Sequence, residues 1–97
     1  NNSVPSAYSL EQNYPNPFNP ATNIKFSLPF ESNVKLVVFD VTGKHVSTLI
    51  NNKMNSGSHT MNFDGKGLSS GVYFYRMDIT GKDGMNYSDT KKMILVK

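Results

Sequence analysis

Apolar and polar residues alternate with period two along most of the chain, the mark of half-buried β-strands. Ile24, Phe26 and Leu28 fall on one face with Lys25 and Ser27 opposite, and Pro29 closes the run. Val34, Leu36 and Val38 share a face opposite Lys35, while Val37 and Phe39 make this segment apolar on both sides, which predicts a central strand. Asp40-Val41-Thr42-Gly43-Lys44 predicts a tight connection in which Gly43 is free to take positive φ. His45 to Ile50 reads as the return strand and Asn51 to Gly57 as a polar loop. His59, Met61 and Phe63 then share a face opposite Thr60, Asn62 and Asp64, before a turn at Asp64-Gly65-Lys66-Gly67.

Gly71 leads into Val72 to Ile79, where charge decides the orientation. Arg76 and Asp78 need water, so Tyr73, Tyr75, Met77 and Ile79 face the core. Thr80 to Gly84 reads as a hairpin loop and Asp89 to Lys97 as a final strand. No window of eleven or more residues carries a 3.6-residue period. The pattern predicts an all-β protein, a seven-stranded antiparallel immunoglobulin-like β-sandwich over residues 8–97 behind a small polar linker at 1–7. Its expected core includes Ile24, Phe26, Leu36, Val38, Met61, Phe63, Tyr73, Tyr75 and Met77.

One segment breaks the alternation. In Asn13-Tyr14-Pro15-Asn16-Pro17-Phe18-Asn19-Pro20 the prolines exclude a helix and a central strand, since each lacks an N–H and restricts its predecessor. Asn beside Pro favours side-chain-closed turns, so a rigid structural turn pinning the first long strand is expected. Pro17 to Pro20 is formally a PxxP, without a flanking arginine.

Composition narrows the function. The 97 residues suit one domain, which at this size hides somewhat over ~60% of its unfolded surface. There is no cysteine, and therefore no disulfide, thiolate metal site or thiol nucleophile. The net charge of +3 comes from scattered Lys and Arg whose densest cluster is Lys91-Lys92, not the basic stripe that nucleic acid requires. No apolar run approaches the ~20 residues of a transmembrane helix. Asn1 to Pro5 lacks the basic and apolar regions of a signal peptide, so any export signal is expected on a longer precursor, and the chain reads like a tail.

Catalytic parts are missing. His45 and His59 lie on different expected strands and form no HxH or i, i+4 pair. Asp40, Asp64, Asp83 and Asp89 adjoin turn residues, and nothing selects an acid–base pair. Asp64 with neighbouring carbonyls is a conceivable Ca²⁺ position, without EF-hand spacing. No phosphate loop, dinucleotide fingerprint or nucleophile elbow occurs. No catalytic residue, cofactor or metal is therefore expected. Tyr14, Phe18, Phe30 and Phe39 have no assigned place in the core and could line a sugar-binding platform.

Four segments in order carry a resemblance. They are Leu10 to Pro29, Val38 to Val46, Leu68 to Met77, and Lys91-Lys92-Met93-Ile94-Leu95-Val96-Lys97. Together they resemble the type A C-terminal sorting domain of type IX secretion cargo, and are similar to the Ig-like domain of flagellar hook-capping proteins. Phe63 before Asp64-Gly65 departs from relatives that often carry Trp there. The resemblance implies a detachable address for a covalently linked upstream cargo domain. Secretion machinery of the outer membrane would recognise it after export to the periplasm, and the cargo would reach the cell surface or the medium. In such families a sortase-like peptidase often removes the domain and attaches the cargo to lipopolysaccharide.

The expected recognition element is Lys91, Lys92, Met93, Ile94, Leu95, Val96 and Lys97, acting through an exposed strand edge that offers main-chain hydrogen bonds. Tyr14, Pro15, Asn16, Pro17, Phe18, Asn19, Pro20, Asp40, Gly43, Gly71 and Tyr73 form the expected structural motif. The alternative is a structural Ig-like or carbohydrate-binding accessory module of a multidomain extracellular enzyme.

Overall fold

A computed structural model describes residues 5–81 and 84–97. The strands are β1 (Ser9–Leu10), β2 (Ala21–Leu28), β3 (Ser32–Asp40), β4 (His45–Met54), β5 (Gly57–Asp64), β6 (Gly71–Gly81) and β7 (Asn86–Leu95). They form two antiparallel sheets, ordered β1-β2-β5 and β4-β3-β6-β7. There is no helix among the described residues. The expected seven-stranded sandwich is what the chain builds.

The inward positions are those that period two selects. Ile24, Phe26 and Leu28 of β2 meet Val34, Leu36 and Val38 of β3, and Tyr75 and Met77 of β6 fill the space between the sheets. Burying each such side chain contributes about 1.5–3 kcal/mol, so these faces dominate the stability of the fold. β3 is central, between β4 and β6, as its two apolar faces predict. Gly43 (φ 87°) and Gly71 (φ 154°) both adopt positive φ, which a side chain would resist. Tyr73 at the start of β6 donates its hydroxyl to Ser69 O, 2.7 Å away, the corner contact that immunoglobulin domains make in their penultimate strand.

The structure corrects several expectations. β4 runs to Met54, so Asn51 to Met54 is strand and not loop; Asn51, Asn52 and Lys53 pair with Lys35, Val34 and Asn33. An edge strand with one solvated face tolerates polar side chains, and two register shifts against β3 blur its alternation. β7 begins at Asn86 and ends at Leu95, leaving Val96 and Lys97 outside the strand. Met61 is only partly buried, because β5 lies at a sheet edge. Phe18, unassigned by pattern, is 1% exposed and belongs to the core. Of the expected linker, residues 1–4 lie outside the described residues, as do Lys82 and Asp83 of the expected hairpin loop.

Candidate functional site: the Asn-Pro strap and the final strand

β7 is the outer strand of the four-stranded sheet, and such an edge normally presents unpaired main-chain groups. Here the segment from Gln12 to Pro20 lies along it. Phe18 N–H donates to Ile94 O and Val96 N–H donates to Phe18 O, each at 2.9 Å. Asn16 Oδ1 accepts from Ile94 N–H at 3.0 Å, and Gln12 Nε2 donates to Lys92 O at 2.6 Å. Phe18 and Leu95 form a parallel bridge. From Lys92 O to Val96 N–H the outward main-chain groups therefore have partners. The expectation of a free, hydrogen-bonding edge at this strand is corrected by its own strap.

The strap is held by a buried polar cluster. Asn13 is 2% exposed; its Nδ2 donates to Thr22 Oγ1 and Pro15 O, while its Oδ1 accepts from Gln12 Nε2 at 2.7 Å. Thr22 Oγ1 donates in turn to Pro15 O at 2.8 Å. From the core, the Tyr75 hydroxyl accepts from Asn13 N–H at 2.8 Å and donates to Glu11 O at 2.7 Å. Burial pushes the Tyr75 phenol up to about 12, because the phenolate would lose its water. Among the described residues no buried side-chain polar atom lacks a partner, as a stable polar cluster requires.

Beyond the cluster, Tyr14 bridges to Asn23, and Pro20 O accepts from Gly65 N–H at 2.8 Å. Gly65 sits beneath Phe18 and Leu95, where an added Cβ would lie 3.1 Å from Leu95 Cδ2. The Tyr14-Pro15, Asn16-Pro17 and Asn19-Pro20 peptides are cis.

The residues of the expected recognition element divide by face. Met93 and Leu95 are in the core, at 0% and 1% exposure, and cannot touch a partner without unfolding. Lys92, Ile94 and Val96 point out of the sandwich and are exposed or half-buried. Lys91 pairs loosely with Asp89 at 3.8 Å. Lys97 is tied down, its N–H donating to Ser70 Oγ at 3.0 Å and its Nζ to Lys66 O at 2.6 Å.

Asp40 and Asp64 serve turns. Asp40 Oδ1 accepts from Thr42 Oγ1 and from the N–H groups of Thr42 and Lys44. The Thr42 hydroxyl, foremost among these, lowers the Asp40 pKa. Asp64 Oδ1 accepts from Lys66 N–H at 2.9 Å, closing the turn after β5. The four unassigned aromatics do not share a platform. Phe18 is internal, Tyr14 stands at the three-stranded sheet, Phe30 lies in the β2–β3 connection and Phe39 pairs with Phe74 in the other sheet. The roles of Gln12, Asn16 and Gly65 have no short-range signal, because Lys92, Ile94 and Pro20 lie tens of residues distant, whereas Asn13 and Thr22 bond mainly within their own segment.

Residues 12–96 match the family described as the secretion system C-terminal sorting domain. No curated protein matches the sequence. Dimeric latent PorU from Porphyromonas gingivalis has a similar fold, with TM-score 0.70 and 21% identity over 94% of this chain. The chain spans 10% of that PorU chain. CopC from Methylosinus trichosporium OB3b is similar at TM-score 0.58 and 13% identity, over 92% of this chain and 93% of that one. The likenesses to PorU and CopC concern the fold, whereas the matched family covers the strap and the final strand together. The chain belongs to the secretion system C-terminal sorting domain family, the sorting signal of type IX secretion.

Proposed function

We propose that this domain directs a covalently linked upstream cargo through the periplasm and across the outer membrane, that it is itself non-catalytic, and that its final strand is read together with the strap. Type IX sorting signals send cargo to the cell surface or the extracellular space. The observation that carries the refinement is the closed edge at Ile94, whose main-chain N–H and C=O are both taken by the strap. A partner then meets side chains, chiefly those of Lys92, Ile94 and Val96, with Lys91 and Lys97 flanking. Asp40 and Asp64 engaged by turns, with Asp78 and Asp89 in ion pairs, support the non-catalytic role.

The test is export of a fused reporter from a type IX host, measured beside the melting temperature of each variant. Deleting residues 92–97 should abolish export. Lys92→Ala with Lys97→Ala should weaken export while the fold persists. The accessory-module alternative predicts export in proportion to the folded fraction alone. Normal export from the truncated domain would defeat the sorting role of this strand.

A further inference from the structure

We infer that the outer face of the four-stranded sheet is a docking trough for an extended acidic segment of a protein partner, anchored by one large apolar side chain over Phe39 and Phe74. This rests on the sorting reading for the partner's place in the secretion machinery, but not for the chemistry of the trough.

The register lays out the face in rows. Tyr73, Tyr75 and Met93 point inward, so their neighbours Phe74 and Lys92 point outward, and Phe74 stands opposite both Phe39 and Lys92. His45 flanks Phe39 on the other side. The next row toward the β6–β7 connection holds Val37, Arg76 and Thr90; the one after holds Lys35, Asp78 and Ser88. On the opposite side of the Phe pair, Val72 faces Ile94.

A solvated antiparallel face is normally polar, and the half of this one bearing Asn33, Thr80, Asn86 and Ser88 obeys. The other half does not. Phe39, Phe74, Val72 and Ile94, each half-buried, form an apolar stripe across three strands beside Val37, which is 5% exposed, and Val41 at its end is 68% exposed. Apolar surface gathered in this way marks an interaction site.

The surface is also hollowed. A depression of about 330 Å³ lies between Phe39, Val41, Gly43 and Phe74. It shares Phe39 and Arg76 with a second of about 470 Å³, which shares Lys35 and Asp78 with a third of about 360 Å³. The three run together along β3 and β6. From Phe39 to Asn33 the strand advances about 20 Å, room for an extended segment of about six residues. An open floor of this shape suits a chain lying along it more than a small molecule held within it.

Charge selects the occupant. Lys35, Lys53, Arg76 and Lys92 occupy outward positions on this face, by their pairings. Asp78 lies among them, its two oxygens 3.1 Å from Arg76 Nε, and Glu31 lines a depression with Lys53 at the far end. Asp40, at the turn, holds the Thr42 and Lys44 groups. Within the depressions Lys35 and Arg76 balance Asp40 and Asp78. Lys92 and Lys53 at the flanks, against Glu31, leave the face a positive excess around an aromatic floor, complementary to glutamate or aspartate flanking an apolar anchor. Lys92 and Ile94 belong both to this face and to the final strand, so the two surfaces are continuous.

The probe is a synthetic peptide of about eight residues, glutamates around one central phenylalanine, long enough to span the trough. A lysine counterpart and anionic phosphatidylglycerol vesicles run beside it. The acidic peptide should shift the amide resonances of Val37, Phe39, Phe74 and Arg76, more weakly as salt is raised. R76E with K92E, both at exposed positions, should retain the fold, bind the peptide about tenfold more weakly and lower reporter export. Lys25→Glu, on the outer face of the other sheet, should change neither.

Absent shifts at millimolar acidic peptide, or equal shifts with the lysine peptide, overturn the proposal. Binding to vesicles without binding to peptide overturns it in favour of a membrane. Normal export from R76E with K92E, where deletion of residues 92–97 blocks export, removes the trough and leaves the sorting role standing. Failure of the unmodified domain to export the reporter removes the sorting reading, while the peptide titration still decides the trough.

Discussion

Replacing Tyr75 by phenylalanine isolates one oxygen atom and asks whether the strap is locked from inside the core. The ring is fully buried, and its volume is retained. What is lost is the acceptor for Asn13 N–H at 2.8 Å and the donor to Glu11 O at 2.7 Å. Asn13 is itself buried, so its N–H has no water to turn to, and leaving such a donor unpaired costs about 1–3 kcal/mol. Glu11 is exposed, and its carbonyl recovers much of its bond from solvent. The expected loss is about 2 kcal/mol, roughly 8–16 °C in melting temperature for a domain of this size. Tyr75→Ala also opens a cavity and should cost about 3–5 kcal/mol.

Urea denaturation of both variants, with hydrogen exchange at the Asn13 amide, measures the difference. In Tyr75→Phe that amide should exchange faster, while the core of β3 stays protected. The titration gives a second reading. The folded-state phenol is raised to about 12 from its ordinary 10, so the folded chain holds this proton more tightly than the unfolded one. The stabilisation is complete below pH 10 and is lost as pH rises toward 12. Tyr87, raised by burial and by Asp89, loses its contribution in the same direction. Tyr75→Phe should be the less alkali-sensitive protein. A loss below about 0.5 kcal/mol, with unchanged Asn13 exchange, would refute the lock.

Other consequences are as direct. Asn16→Ala removes the acceptor for Ile94 N–H, and should cost about 1 kcal/mol with faster exchange at Ile94 and none at Met93, read by amide exchange. Gly65→Ala pushes a methyl to 3.1 Å from Leu95 Cδ2, against a fully packed Phe18, and should lower stability by about 1–2 kcal/mol in urea titration. Gly71→Val meets no atom within 4 Å but must hold φ near 154°, so a loss of about 1–3 kcal/mol in thermal melts would come from backbone strain alone.

The strands that face the core on one side were legible because their side chains obey the pleat. β2, the middle of β3 and β6 follow it, and the charges Arg76 and Asp78 even fix the face of β6. Legibility fell where solvent surrounds a strand. Asn51 to Lys53 form strand through their main chain, whose pairing with β3 leaves no mark in side-chain hydropathy. Phe18 was hidden because its segment reads as turn, where Tyr14 beside Pro15 is 80% exposed and, of the two aromatics, only Phe18 turns into the core. The strap's bonds to Lys92, Ile94 and Val96 join residues about eighty positions apart, and no local pattern encodes such a contact.

That distant contact also explains why the strap is built from asparagine and proline. An apolar run such as Met93 to Val96 on an edge strand is a template for pairing with another chain. Covering it with an ordinary strand would only move the open edge outward by one strand. Pro15, Pro17 and Pro20 have no N–H to offer a further neighbour, and Asn16 supplies its acceptor from a side chain in place of a carbonyl. The strap therefore closes this edge from Lys92 to Val96 without extending the sheet, while Lys92 and Ile94 keep their side chains outward. The cost is interdependence: removing residues 92–97 withdraws the partners of Gln12, Asn16 and Phe18 at once, loosening the segment that Tyr75 holds. Loss of export after that deletion thus has two origins, a missing surface and a freed strap. Lys92→Ala with Lys97→Ala separates them, because it changes the surface and keeps every main-chain bond of the closed edge.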